Sequence, residues 1–343
     1  MNFSFKPCIF ITMILVTGGT GLVGSHLLLK LTEQDVAVTA IYRSKHRVDR
    51  VEEFFAFAKA ESRFSKITWI QADITDIPQL TAAFKDVKTV YHCAALISFD
   101  PYDFDRLIKT NVEGTANVVN LCLANDVKKL CHLSSIAILS KLPNTPITEE
   151  NHWDPNEENS VYAISKYGAE TEVWRASQEG LDVIIFNPGV ILGEGLLDEG
   201  SGALFKSVLK NSSYYPEGAT AFVDVQDLVE IMIQGMASSI KNERFVATVS
   251  NHSFKEVLDT IAANLSRKAP NKEISEKKLR FLATLDSLRG VFTGKRKLTK
   301  AMISSISSTK TYTHQKLKDQ LSFIPQPIEK TIQRVALYHK KSM

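Results

Sequence analysis

The chain has 343 residues, of which 44% are hydrophobic and 23% are charged, and its net charge is +3. This length can bury a large core in one elaborated domain or in two. The near balance of charge gives no reason to expect a nucleic-acid partner, and no stretch reaches the roughly 18 to 20 apolar residues that span a bilayer. The four cysteines are Cys8, Cys93, Cys122 and Cys131. Their spacing matches neither a metal site nor a C-x-x-C motif, which favours free, mostly buried thiols in a reducing, cytoplasmic compartment.

The first twelve residues precede the first recognisable motif. The apolar run 8–16 resembles a short signal sequence, but only Lys6 stands before it, and it merges into the first predicted strand without a cleavage site of small residues. We interpret residues 1–12 as an N-terminal extension, which leaves Met1 and Met13 both open as translation starts.

The stretch 13–24, MILVTGGTGLVG, passes from an apolar run through glycines into a helical pattern. Gly18 and Gly21 permit a tight turn and close approach of the backbone to a pyrophosphate, and Gly24 lets the new helix pack on the strand. The free N–H groups of that helix then face the anion. The string fits G-x-G-x-x-G from Gly19 and G-x-x-G-x-x-G from Gly18, so the glycines alone leave the type of dinucleotide-binding protein open.

Strand-like and helix-like patterns alternate from residue 13 to about 187, which predicts an α/β fold with a doubly wound parallel Rossmann sheet. After Pro188 the rhythm changes to loops and helices. We therefore expect a dinucleotide-binding domain at 13–187 and a smaller, mostly helical substrate-binding portion at 188–343, with some elements returning to the Rossmann core. Predicted strands after the first are 36–42, 67–71, 89–92, 129–134 and 181–186; predicted helices include 47–60, 107–125, 160–179, 203–210 and 225–236.

A second motif is Tyr162-Ala163-Ile164-Ser165-Lys166. On a helix, Tyr162 and Lys166 share one face, and a cation beside a phenol lowers the phenol pKa. Bringing that pKa from about 10 to 7 takes roughly 4 kcal/mol, which is more than an exposed pair provides. A partly desolvated site with a cofactor's positive nicotinamide nearby could supply it. The spacing also arises by chance on amphipathic helices. Upstream, Ser135 follows a predicted strand, where its hydroxyl could reach the same substrate atom.

Along the chain, the glycine turn is followed by Ser135 at a strand end and then by the Tyr162/Lys166 motif. With these three features in that order, the chain resembles the extended short-chain dehydrogenase/reductase family, of the NAD-dependent epimerase/dehydratase type. The resemblance covers nearly everything from Met13 onward. Further matching segments are Asp73-Ile74, Cys93-Ala94-Ala95, 110–115, Asn187-Pro188-Gly189, 222–227 and 316–333.

The resemblance implies roles for individual side chains. Tyr162 would be the general acid or base, Lys166 would hold the nicotinamide ribose, and Ser135 would bind the substrate oxygen. Asn111 would support a proton relay or the helix geometry, while a purely structural role as a buried polar anchor stays equally open. Asp73 would accept from the adenine amino group, with Ile74 packing on the ring. The implied cofactor contacts are Gly18, Thr20, Gly21, Leu22, Val23, Gly24, Arg43, Asp73, Ile74, Ala94, Ala95, Tyr162, Lys166 and Pro188.

The end of the second strand bears on the choice of cofactor. NAD enzymes usually place a carboxylate there, but residues 41–47 read IYRSKHR. Arg43 could form a fork to a 2′-phosphate or stack on adenine. The stretch therefore favours NADP(H), although NAD and a merely solvated basic loop remain alternatives.

Three outcomes compete within the family. Ile136 and Ala137 follow Ser135, where sugar-nucleotide dehydratases carry an acid/base pair, and 187–193 lacks the Tyr-Gly-Pro turn of many epimerases. Segments 187–193 and 293–300 are similar to the branch that contains dihydroflavonol reductases and 3β-hydroxysteroid dehydrogenases. We therefore expect hydride transfer between NADP(H) and a carbonyl or secondary alcohol of a small, bulky, apolar substrate. Alternatives are a sugar-nucleotide epimerase with bound NAD and a catalytically silent sensor, and a homodimer is left open. Candidate substrate contacts, which could equally be core, are Phe99, Tyr102 and Phe104.

Several other residues have ordinary structural interpretations. Asp224 and Asp227 have capping-box spacing before a helix. In 276–300, an apolar stripe could touch a membrane surface, but a helix that closes the substrate cleft is favoured. The stripe consists of Leu279, Leu282, Leu285 and Leu288. Three histidines without metal spacing are interpreted as packed or surface residues: His26, His92 and His132.

Overall fold

A computed structural model describes residues 13–34, 36–142, 145–195, 197, 199–296 and 298–341. The predicted extension 1–12, with Cys8, lies outside these residues. The strands are β1 Met13–Thr17, β2 Ala37–Tyr42, β3 Ile67–Gln71, β4 Val87–His92, β5 Lys129–Leu133, β6 Asp182–Pro188, β7 Val190–Leu192, β8 Tyr214–Pro216, β9 Ala219–Asp224, β10 Glu243–Ala247, β11 Ser250–Ser253 and β12 Lys272–Ile274. The α-helices are α1 Leu22–Leu31, α2 Lys45–Phe57, α3 Glu61–Phe64, α4 Ile77–Ala83, α5 Phe104–Leu107, α6 Gly114–Ala124, α7 Val161–Gln178, α8 Gly202–Leu209, α9 Val225–Ala237, α10 Phe254–Leu265, α11 Glu276–Thr293, α12 Lys300–Ser307, α13 Gln315–Leu321 and α14 Ile328–Lys341.

The central sheet confirms the predicted doubly wound fold. Its seven parallel strands have the order β10-β6-β5-β4-β1-β2-β3. The order reverses beside β1, and such a switch point opens a crevice at the carboxyl ends of the strands. Segments that follow β1, β3, β4, β5 and β6 therefore meet at one edge of the sheet.

Helices cover both faces of this sheet. On β1, Leu15 belongs to the apolar cluster on one face and Val16 to the cluster on the other, and both side chains are fully buried. Because successive strand residues point to opposite faces, a strand buried on both faces consists of continuous apolar residues. This explains why the strand could be recognised in the sequence.

The C-terminal portion holds more strands than the sequence indicates. It contains the three-stranded sheet β11-β9-β7 and the two-stranded sheet β12-β8, while β10 returns to the central sheet beside β6. Strand β11 has the sequence SNHS, which lacks any apolar alternation and pairs through its backbone with β9. A separate apolar cluster, which includes Phe205, Leu258 and Ile332, joins α8, α10 and α14.

The predicted helix 107–125 is interrupted. Helix α5 ends at Leu107, a π-helical segment occupies Ile108–Glu113, and α6 begins at Gly114. A Cβ on Gly114 would lie 2.6 Å from Ile74 Cδ1, so α6 packs closely on the segment after β3. Single-turn π segments inside α-helices often occur at functional sites. None of the described helices is long and apolar enough to cross a membrane.

Candidate active site

The glycine turn lies at the switch point of the sheet. Gly18 has φ +69°, and a Cβ there would lie 2.6 Å from the backbone N of Ala94. A Cβ on Gly24 would lie 2.1 Å from the carbonyl O of Gly18. The ends of β1 and β4 and the start of α1 therefore approach closely because these two residues have no side chain.

Helix α1 begins after Gly21 without a side-chain cap and without an acidic residue in its first turn. Its first N–H groups, which include those of Leu22 and Val23, have no intrahelical acceptor because of their position. An uncapped helix N-terminus beside a glycine cradle suits a pyrophosphate. The chain therefore fits the dinucleotide that the motif predicts, with Thr20 half-buried within the turn.

In the region after β2 and β3, two cations of the basic stretch lie beside carboxylates. Arg43 is 60% exposed at its side chain, and its Nη1 lies 3.7 Å from Oδ2 of Asp73. Asp73 also accepts from the backbone N and the hydroxyl of Thr75, each at 2.9 Å. Arg47 pairs with Glu199 at 2.7 Å. Carboxylates from distant positions thus oppose the cations of this stretch.

Other predicted cofactor residues lie at the same edge. Ile74 is buried against α6, so its side chain is already packed within the protein. Ala94 is half-buried, and its backbone N donates to the hydroxyl of Thr17 at 3.3 Å. Ala95 is exposed, and Pro188 is buried at the end of β6.

Helix α7 carries Tyr162 and Lys166 and is capped by Ser160, whose hydroxyl accepts from the backbone N of Ala163 at 3.1 Å. Tyr162 is half-buried, and its ring centroid lies 5.5 Å from that of Phe99. Burial raises the pKa of Tyr162 to about 12, while a hydrogen bond with the Ser135 hydroxyl acts in the opposite direction. Ser135 and Tyr162 are therefore neighbours, as the sequence predicts.

Lys166 is buried and bonds to the backbone at the end of β5. Its ammonium donates to the carbonyl O of Leu133 at 2.7 Å, and the residue is only 2% exposed. Burial lowers the pKa of Lys166 to about 8, and the Glu170 carboxylate opposes this effect. We expected the lysine to lower the pKa of Tyr162, but among the chain's own groups burial dominates that pKa and raises it.

Asn111 lies in the π-helical segment and is buried. Its Oδ1 accepts from the backbone N of Leu96 at 2.7 Å, and its Nδ2 donates to the carbonyl O of Leu96 at 2.9 Å and to the Ser165 hydroxyl at 2.8 Å. Asn111 thereby holds the segment after β4 against α7.

Sequence reasoning missed a buried network beneath Ser135. Asn187 Nδ2 donates to the Ser135 carbonyl at 3.1 Å and to Glu170 at 2.9 Å. Arg244 donates to Glu170 at 3.2 Å and to the backbone of Glu149. Glu170 lies one helical turn beyond Lys166, on the same face of α7. The spacing 162, 166, 170 was therefore the sequence signal that could have placed Glu170 near the site.

A cavity of about 530 Å³ lies next to the start of α7 and the segment that carries Phe99. Phe99 contacts the Tyr162 ring and also lines the cavity. Phe99, Tyr102 and Phe104 are all exposed, so they are not core residues. Other lining residues come from α7, α11 and the start of α12: Val161, Arg280, Ala283, Thr284, Ser287 and Ala301.

The remaining candidates have structural roles. Asp224 caps α9 by accepting from Gln226 N at 2.7 Å and also pairs with Arg334, whereas Asp227 accepts from Gln326 N instead of closing a capping box. The described residues contain no group of side chains that could hold a metal ion. The three predicted histidines, His26, His92 and His132, are buried. Among the cysteines, Cys122 and Cys131 are buried and Cys93 is half-buried, all as free thiols.

Comparison with known proteins assigns the family. The family model described as NAD dependent epimerase/dehydratase family matches residues 14–247, and the chain belongs to that family. It is 25% identical over 266 residues to a putative dihydroflavonol 4-reductase of Synechocystis, covering 76% of this chain and 74% of that protein. It is 26% identical over 279 residues to tetraketide alpha-pyrone reductase 2 of Arabidopsis thaliana, covering 77% and 84%.

Solved structures share the fold over nearly the whole chain. The protein named gox2253 has a TM-score of 0.80 at 22% identity, covering 96% of this chain and 98% of that one. UDP-glucuronic acid 4-epimerase from Bacillus cereus, in complex with UDP-glucuronic acid and NAD, has a TM-score of 0.76 at 16% identity, covering 97% and 100%. The family and the fold define the chain as an NAD(P)-dependent enzyme of the short-chain dehydrogenase/reductase type.

Proposed function

We propose that the chain is an NADP(H)-dependent oxidoreductase that transfers a hydride between the nicotinamide and a carbonyl or secondary alcohol of a bulky, mainly apolar substrate. The observation that carries this proposal is the position of Tyr162. Tyr162 lies beside Ser135, and its ring contacts Phe99, which lines the cavity of about 530 Å³. The named reductases among the relatives support the same reaction class.

In this proposal, Tyr162 is the proton donor for reduction. With a pKa of about 12, the phenol keeps its proton at neutral pH and can give it to a carbonyl oxygen as the alcohol forms. Ser135 donates a hydrogen bond to that oxygen as negative charge develops. Lys166 binds the nicotinamide ribose, and the Glu170 carboxylate favours the charged form of its ammonium against the effect of burial.

The cofactor-binding roles follow from the cradle. The N–H groups at the start of α1 would bind the pyrophosphate between Gly18 and Gly24, and Ala94, Ala95 and Pro188 would border the nicotinamide half. When bound, the nicotinamide supplies or accepts the hydride. Asn111 would act by holding the segment after β4 against α7 beside the cofactor. A proton relay is its further proposed role.

The preference for NADP(H) rests on Arg43. Its contact with Asp73 is a long, exposed ion pair, and such pairs contribute only about 0–1 kcal/mol. A 2′-phosphate would offer the guanidinium a bidentate partner with greater charge. Asp73 could then bind the adenine amino group, as the family resemblance implies.

We also propose that 13–187 forms the dinucleotide-binding domain and that 188–343 mainly binds substrate. Strand β10 lies beside β6 in the central sheet, so this second portion also completes the first. The fragment 13–187 would therefore lack a strand of its own sheet.

The proposal is tested by supplying the purified full chain with NADPH or NADH and with ketones and aldehydes of phenolic, steroid and sugar classes. We expect NADPH oxidation with bulky apolar carbonyls. Interconversion of sugar nucleotides without net consumption of NADPH would overturn the proposal in favour of an epimerase. Cofactor binding without turnover of any substrate, including sugar nucleotides, would favour a sensor.

A further inference from the structure

Helix α11 has two faces in different environments. Leu279 and Ala283 are buried in a small cluster with Ile303 of α12. Phe281, Leu285 and Leu288 are instead 66%, 50% and 61% exposed. The predicted stripe of four leucines is thus divided between an inner and an outer face.

The three exposed residues lie on one side of the helix because they are spaced i, i+4 and i+7. We call Phe281, Leu285 and Leu288 the outer stripe. Single exposed apolar residues are ordinary, but three large ones side by side mark a surface that contacts another molecule or a membrane.

Basic residues border the outer stripe. Lys277 lies one turn before Phe281, and Arg289 lies one turn after Leu285, and both are exposed. Residues 276–300 contain eight basic and two acidic side chains, a net charge of +6, whereas the whole chain carries +3. This segment is therefore more basic than the chain as a whole, and Lys277 and Arg289 bring two of its cations beside the outer stripe.

The inner face of the same helix forms a wall of the proposed substrate cavity. Arg280, Ala283, Thr284 and Ser287 line the cavity. At the end of the helix, the backbone N of Arg296 donates to Asp100 at 3.0 Å, which joins this region to the segment that carries Phe99. Whatever covers the outer stripe therefore lies against the outer wall of the cavity.

We propose that the outer stripe and its basic border dock on a lipid surface with anionic headgroups. The apolar side chains would enter the boundary between headgroups and acyl chains, and the cations would contact lipid phosphates and carboxylates. A second copy of the chain fits less well, since a two-fold interface centred on the stripe would bring two identical, strongly positive borders together.

The surface goes beyond the proposed reaction and does not depend on it. Docking there would hold the cavity next to a membrane, from which an apolar substrate could enter. The test measures binding without cofactor or substrate, so its failure leaves the proposed reaction untouched.

The test is flotation of the full chain with vesicles of phosphatidylcholine alone and with vesicles of equal parts phosphatidylcholine and phosphatidylserine. We expect the protein to float with the mixed vesicles and to float less as added salt shortens the screening length. The outer-stripe variant Phe281→Ser/Leu285→Ser/Leu288→Ser should lose at least about tenfold in partition coefficient. Its matched control, Ile324→Ser/Leu337→Ser, removes exposed apolar residues elsewhere and should float like the unmodified chain.

A second variant, Lys277→Glu/Arg289→Glu, tests the charged border without altering the apolar residues. It should lose binding to the mixed vesicles and change little with phosphatidylcholine alone. Equal flotation of the unmodified chain and both variants would overturn the proposal. Failure of the unmodified chain to bind either kind of vesicle would also overturn it. A dimer in solution that only the outer-stripe variant disrupts would overturn it in favour of self-association through this surface.

Discussion

The two glycines around the start of α1 differ in a way that the motif alone does not show. A Cβ on Gly24 would lie 2.1 Å from the carbonyl O of Gly18 and 2.8 Å from Gly19 Cα, so the turn itself would have to move. A Cβ on Gly21 would meet only the Gly18 carbonyl O, at the ordinary distance of 3.4 Å. We therefore expect Gly24→Ala to destabilise the protein by about 3 kcal/mol or more, and Gly21→Ala by less than about 1 kcal/mol.

The assay is urea unfolding of both variants and the unmodified chain without cofactor, followed by fluorescence titration with NADPH. Gly21→Ala should keep most of its stability and still lose cofactor affinity, because the new methyl group would lie in the glycine turn where we propose that the pyrophosphate binds. Replacing a helical glycine by alanine ordinarily stabilises a helix by about 1 kcal/mol, so the clash has to exceed that gain. Equal stability of the two variants, or a stabilised Gly24→Ala, would refute the reasoning.

Three further outcomes are expected. Arg43→Asp should abolish an NADPH preference of at least tenfold, or roughly 1.4 kcal/mol, in cofactor titrations. Glu170→Gln should lower the pKa of Lys166 below about 8 and move the alkaline limb of the turnover profile to lower pH, since a neutral lysine no longer serves the ribose. Burial alone would raise the pKa of Glu194, but the His26 hydrogen bond and the Arg334 charge lower it from 4.5 to about 2. That depressed pKa contributes up to about 3 kcal/mol above pH ~4.5, so Glu194→Gln should lower the free energy of unfolding at pH 7, with the difference fading as the pH falls from about 4.5 towards 2.

Matched controls separate these effects from general loss of charge. Arg50→Asp removes a nearby exposed cation of α2 and should keep the cofactor preference, and Glu172→Gln on α7 should leave the pH profile unchanged. Equal NADPH and NADH affinities in the unmodified chain would contradict the assignment of Arg43. An unchanged alkaline limb in Glu170→Gln, or an unfolding difference for Glu194→Gln that persists at the lowest pH, would contradict the electrostatic accounts.

Local signals in the sequence were sufficient for much of the fold. Some features depend only on residues that are close in sequence, so local patterns predict them. These are the apolar run of β1, the glycines after it, and the capped helix that carries Tyr162 and Lys166. Strand β11 was missed because its pairing with β9 uses backbone groups of a polar sequence.

The parts of the site that were missed depend on distant partners. The π-helical segment accompanies bonds between Asn111 and Leu96, which lie fifteen residues apart. The Lys166 ammonium finds the Leu133 carbonyl, and Glu170 finds Arg244 at the far edge of the sheet. Such contacts can be predicted only when the order of the strands in the sheet is known, because no local sequence pattern encodes them.

The central claim is that Tyr162 gives the proton during carbonyl reduction, and the most direct measurement is the turnover of Tyr162→Phe with NADPH and an accepted carbonyl substrate. We expect turnover to fall by about a thousandfold while NADPH affinity is kept, because the ring still packs and only the hydroxyl is removed. Tyr167→Phe is the matched control on the same helix, where an exposed ring stacks on Trp153, and it should retain full activity. If Tyr162→Phe keeps most of its turnover, the chain is not a tyrosine-dependent reductase.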